Sequence, residues 1–98
     1  MNLLAILLLF VPAAIAAELL HATRAEFEQQ FGAISTETQA IRGFDRSTHS
    51  EGDKLVRFFL DVPDTGENRA FFREAKERLK ARFQQVEIWI TTYPIETL

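Results

Sequence analysis

The sequence predicts an α+β domain ordered strand-helix-strand-strand-helix-strand, a four-stranded antiparallel sheet with both helices on one face. Three observations predict it. Residues 3–11, LLAILLLFV, are an unbroken apolar run of strand length. Residues 54–62, KLVRFFLDV, echo that run, and each is followed by a proline, Pro12 and Pro63, 51 residues apart. Behind each proline lies a stretch with helical spacing that ends on a phenylalanine, Phe31 and Phe83, 52 residues apart. A β-α-β unit used twice accounts for all three.

Each element follows from its residues. The first strand, 3–11, stops at Pro12, which has no N–H to give to a ladder. Ala16, Leu20, Thr23, Phe27 and Phe31 then recur at helical spacing, and Gly32 stands where a helix C-terminus favours glycine. Residues 33–41 are rich in Ser and Thr and alternate weakly, as an edge strand does. Gly43 to Asp53 is polar and reads as a loop, and 54–62 is the third strand. Asp64-Thr65-Gly66-Glu67 reads as a helix start, with an acidic or hydroxyl cap and Glu67 placed for a capping-box role, and Asp64 and Glu67 are expected to be caps rather than catalysts. Phe72, Ala75, Leu79 and Phe83 make the second helix's apolar stripe. Val86, Ile88 and Ile90 alternate with Glu87, Trp89 and Thr91, which gives the last strand. This order is the ferredoxin-like arrangement, βαββαβ, in a single domain spanning 1–98.

The N-terminal segment has a competing reading. Residues 3–17 carry no polar side chain, and Ala14-Ile15-Ala16 matches a small-x-small cleavage pattern. Cleavage near Ala16 would make the protein secreted or periplasmic. The n-region, Met1-Asn2, has no Lys or Arg, and the echo makes 3–11 the counterpart of 54–62. Residues 1–16 are therefore read as first strand and turn, not as a signal peptide, with the chain in the cytoplasm. The run also falls short of the ~20 residues a membrane-spanning helix needs.

Composition narrows the function. The 98 residues hold no cysteine, which removes disulfides, thiolate metal sites and cysteine nucleophiles. A formal net charge of −3 argues against nucleic acid and anionic membranes as partners. His21 and His49 have no His or Cys companion at metal-ligand spacing, and Asp45, His49, Glu51 and Asp53 lack the geometry of a calcium loop. No Gly-rich phosphate loop or nucleophile–base constellation is present. No cofactor is expected. Arg69, Arg73, Lys76 and Lys80 line one side of the second helix, with Arg78 and Arg82 beside them, and Glu74 to Arg78 is an i,i+4 pair. A solvated helix face accounts for that stripe.

Strand period two locates the candidate site. Val56, Phe58, Leu60 and Val62 should face the helices; Leu55, Arg57, Phe59 and Asp61 should face away. The echo carries this to Leu4, Ile6, Leu8 and Phe10, and Trp89 joins them from the last strand. Arg57 stands on the same side as Asp61, two face positions and four residues before it, and is expected to pair with it. A monomer would expose a patch of large apolar side chains, and such patches mark interfaces or binding sites. A homodimer joined through this open face is expected, acting as an interaction or regulatory module without catalysis. The alternative is a dimeric α+β barrel enzyme or binder, with Trp89, Phe59 and Tyr93 holding a small apolar or aromatic ligand between the sheets. A C-terminal or loop segment folded over the face would satisfy it as well.

At FEQQFGAIS, Gly43-Phe44 and ARFQQVEIWIT the chain resembles a group of short uncharacterised bacterial proteins. Their pattern is a helix ending in Phe-Gly-Gly, a hydroxyl-rich strand, a Gly-aromatic pair, and a late helix running into Gln-Gln and an Ile-rich strand. The similarity covers most of residues 20–92. Ala33 replaces the usual second glycine, and Asp45 follows Phe44 where tryptophan is common. The resemblance implies that the N-terminal apolar segment is a strand of the mature domain, and it implies no activity.

Overall fold

A strand apolar on both sides needs neighbours on both edges, and the first strand has them. The computed structural model describes residues 1–11, 17–40, 54–84, 88–96 and 98. In chain order the elements are β1 (Asn2–Val11), α1 (Ala17–Phe31), β2 (Ser35–Ala40), β3 (Lys54–Pro63), α2 (Gly66–Arg82) and β4 (Trp89–Ile95). They form an α+β domain around a four-stranded sheet of order β2-β3-β1-β4. Every neighbouring pair is antiparallel. β1 and β3 pair along their whole length, from Asn2 opposite Pro63 to Val11 opposite Lys54. The Asp64 N–H extends this contact by donating to the Met1 carbonyl at 2.9 Å.

Period two divides the sheet cleanly. Leu3, Ala5, Leu7, Leu9 and Val11 of β1 are buried, as are Val56, Phe58, Leu60 and Val62 of β3. They share one core with Phe27 of α1 and with Phe72, Ala75, Leu79 and Phe83 of and just beyond α2. Both helices therefore lie on the same side of the sheet. Their mutual contact is aromatic: Phe31 and Phe71 meet edge to face at 5.2 Å, and Phe31 and Phe72 stack at 5.4 Å. Thr23 is fully buried, yet its hydroxyl is satisfied. It donates to the Leu19 carbonyl at 2.8 Å and accepts from Arg82 at 2.9 Å.

The helix ends obey capping chemistry, with one correction. Gly32 follows α1 at φ +87°, the left-handed conformation that glycine adopts without strain, and its N–H closes on the Glu28 carbonyl. At α2 the cap is Thr65, not Asp64 or Glu67. The Thr65 hydroxyl accepts from the Asn68 N–H at 3.0 Å, and the Asn68 side chain reaches back to the Pro63 carbonyl at 2.8 Å. The hydroxyl wins because it sits at the residue whose backbone is still extended, three before the N–H it must reach. Asp64 turns instead to Arg69, making two hydrogen bonds at 2.7 and 3.1 Å. The Arg69 guanidinium holds the Asp64 carboxyl below its usual range. Glu67 is exposed in the first turn.

The last strand also differs from expectation. β4 runs from Trp89 to Ile95 rather than ending at Thr91, so it takes in Tyr93 and Pro94. Proline is tolerated there because β4 is an edge strand, bonded only to β1. The parity holds: Ile88 is buried and Ile90 packs on the core, while Trp89 points the other way. The expected roles of Pro12, Ala16, Val86, Glu87 and the 43–53 loop lie outside the described residues.

Candidate functional site

The ladder registers assemble the open face row by row. Residues directly opposite one another in a sheet project to the same side. One row runs Glu37, Arg57, Leu8, Trp89, and the next runs Ser35, Phe59, Ile6, Thr91. Beyond them Asp61, Leu4 and Tyr93 align, and on the other flank Leu55 lies opposite Phe10. All nine residues expected on this face, Leu4, Ile6, Leu8, Phe10, Leu55, Arg57, Phe59, Asp61 and Trp89, are brought together on it. The side chains of the two central strands shield one another and are half-buried, apart from Asp61, which is exposed. Trp89 and Tyr93 on the edge strand are 66% and 50% exposed. Among the described residues no helix lies over them, since α1 and α2 occupy the opposite side. The described C-terminal residues do not cover the face either, because 89–95 is itself a strand of the sheet and Leu98 is exposed. The 43–53 loop, the other segment expected to cover the face, lies outside the described residues.

The charged residues of the face arrange themselves differently from expectation. Arg57 pairs with Glu37, its direct cross-strand neighbour on β2, and not with Asp61. Directly opposed side chains run side by side, whereas residues four apart on one strand are separated by ~13 Å. The Arg57 guanidinium also lies 5.4 Å from the centre of the Phe59 ring, a cation–π contact. Asp61 makes no ion pair among the described residues. Leu8, Leu55, Arg57, Glu37 and Thr38 border a hollow of about 300 Å³. Sequence reasoning did not place Glu37 on this face, and it placed Tyr93 there only in the ligand-binding alternative. The signal for Tyr93 was present, because Trp89, Thr91 and Tyr93 continue the period-two alternation and only Pro94 obscures it.

The helix face of the sheet carries the other candidates. His21 is exposed on α1. Arg78 pairs with Glu26 of α1 at 2.7 Å, not with Glu74, and Arg82 meets the other oxygen of Glu26 at 2.6 Å. Partial burial raises the Glu26 carboxyl, but hydrogen bonds from Arg82 and Arg78 and their charges outweigh it, and the net shift is downward. Asp45, His49, Glu51 and Asp53 lie outside the described residues. Among the described residues no helix is long and apolar enough to cross a membrane.

No protein-family model, curated protein or solved structure matches the chain.

Proposed function

We propose that the chain is a ferredoxin-like interaction module that works as a homodimer, two copies meeting through the open sheet face, without catalysis of its own. The strand order β2-β3-β1-β4 supports the ferredoxin-like arrangement. The observation that carries the dimer is the makeup of the face. Six apolar side chains on the two central strands, Leu4, Ile6, Leu8, Phe10, Leu55 and Phe59, stand beside an indole that is 66% exposed. Four strands at sheet spacing project roughly 500 Å² before side-chain relief is counted, short of the ~800 Å² per partner of a standard interface and suited to a dimer that dissociates on dilution. A cytoplasmic location is supported by the place of β1 between β3 and β4, because a chain starting at Ala17 would lack the middle of its sheet.

Light scattering across a dilution series tests the dimer. Twice the chain mass at micromolar concentration, dissociating on dilution, is the expected result. A monodisperse monomer at tens of micromolar overturns it. The hollow beside Leu8, Leu55 and Arg57 favours a second reading, a dimer that encloses a small apolar or aromatic ligand between its sheets. Native mass spectrometry of the freshly purified protein separates the two: a retained small molecule supports the binder, and a bare dimer supports the interaction module.

A further inference from the structure

α2 sorts its cations by direction. Arg78 and Arg82 turn toward α1, where Glu26 neutralises them. Arg69, Arg73 and Lys76 recur on the adjacent stripe and turn toward β4, where Ile90 and Thr92 rise from the helix side of the sheet. Together with Phe72 these residues line a groove of about 290 Å³, close to the lower limit of small-molecule pockets at ~300 Å³. Its floor is apolar, with Phe72 only 3% exposed and Ile90 packed on the core. Its rim is cationic. Arg69 commits Nε and Nη2 to Asp64, its Nη1 makes no hydrogen bond among the described residues, and Lys76 has a partner within the chain. Arg73 is exposed and makes no ion pair among the described residues.

We propose that this groove binds a small organic anion, a carboxylate or phosphate carried on a short apolar body. The anionic group would sit against Arg73 and the outer edge of Arg69, with the Thr92 hydroxyl as a further donor, and the apolar body would rest on Phe72 and Ile90. The chain's net charge of −3 opposes a polyanion, whose charge extends far beyond the groove, but places no comparable barrier before a small one. The groove opens on the helix side of the sheet, so the proposal is independent of the dimer and a monomer can satisfy it.

The test is a ¹H–¹⁵N NMR titration of the full chain with phenyl phosphate, benzoate and inorganic phosphate as separate probes. Saturable shifts at the amides of Phe72 to Lys76, Ile90 and Thr92 with phenyl phosphate, benzoate or both support the proposal, and their relative affinities identify the preferred head group. Arg73→Gln is a surface change that leaves the spectrum dispersed, and it should weaken binding about tenfold, as loss of a charged hydrogen bond does. Thr92→Val should weaken it by a smaller factor. The proposal is overturned by the absence of saturable groove shifts with all three probes, or by shifts that survive Arg73→Gln unchanged. Inorganic phosphate binding as tightly as phenyl phosphate would refute the apolar half of the site.

Discussion

The two sides of β1 are almost equally apolar and have opposite fates. Leu3, Ala5, Leu7, Leu9 and Val11 are sealed beneath α1 and α2, while Leu4, Ile6, Leu8 and Phe10 look away from both helices. On the inner side the hydrophobic effect is used up within one chain, since removing those residues from water is what folds the domain. On the outer side the same chemistry has no helix to meet, and its burial requires another surface. Hydrophobicity along a strand therefore reports that a residue wants cover, and the topology decides whether the cover comes from the same chain. The charged residues Arg57, Asp61 and Glu37 belong to the outer side, while the inner side is polar only on the edge strands, at Thr36, Thr38 and Thr92, and at the end of β3, at Lys54.

Adjacent substitutions on β1 should separate the two roles. Leu7→Ala opens a cavity beneath the helices and should cost about 2–5 kcal/mol of unfolding free energy in urea, the same at every protein concentration. Leu8→Lys places an ammonium on the opposite side. In a dimer that charge would be desolvated without a partner, so Leu8→Lys should abolish association while the monomer keeps its circular-dichroism spectrum. Phe59→Glu, one row away on β3, should do the same. If Leu8→Lys unfolds the chain as Leu7→Ala weakens it, with no change in the concentration dependence seen in wild type, the two sides of β1 are not distinct in the way described.

Much of this division was legible in the sequence because it depends on parity alone. The echo of 3–11 in 54–62 and a period of two placed nine residues on one face, and all nine lie there. What escaped was competition between partners of similar chemistry. Arg57 had Asp61 four residues away along its own strand and Glu37 across the ladder, and only the register of β2 against β3 puts Glu37 within reach. Asp64 and Thr65 both cap helices well, and the choice turned on where α2 begins, since Thr65 directly precedes its first residue, Gly66. Arg78 had Glu74 one helical turn away, but Glu26 is 52 residues distant and becomes its partner only when α1 and α2 pack together. The extent of β4 was hidden by Pro94, whose tolerance depends on an edge position that only the sheet order reveals.

The helix layer above the inner side adds a pH dependence. The Glu26 carboxyl is held below the ordinary glutamate range by Arg82 and Arg78, whose effect exceeds the opposing effect of burial. A carboxyl depressed by folding contributes stability that is present in full above its unfolded value and lost as the pH falls through its folded one. Unfolding free energy should therefore be flat near neutrality and decline on acidification below about pH 4.5. Glu26→Gln should lower the plateau and flatten that decline, which a series of urea titrations at stepped pH would measure. An acid limb equally steep in Glu26→Gln would assign the loss to other carboxylates. Asp64, also depressed by its guanidinium partner, is the first alternative to examine.

The smallest effects belong to the start of α2, which lies on neither side of the contrast and so calibrates it. Thr65→Ala removes the hydroxyl that accepts from the Asn68 N–H and should cost about 1 kcal/mol, with the dimer's concentration dependence unchanged. Asp64→Ala breaks the ion pair with Arg69, whose guanidinium is 41% exposed and available to water. Exposed pairs contribute little, so this variant should lose less than Thr65→Ala does. Sequence alone gives the reverse ranking, because aspartate caps helices at least as well as threonine. Chemical denaturation of the two variants side by side decides between them. A larger loss in Asp64→Ala would mean that the carboxylate, and not the hydroxyl, holds the first turn of α2.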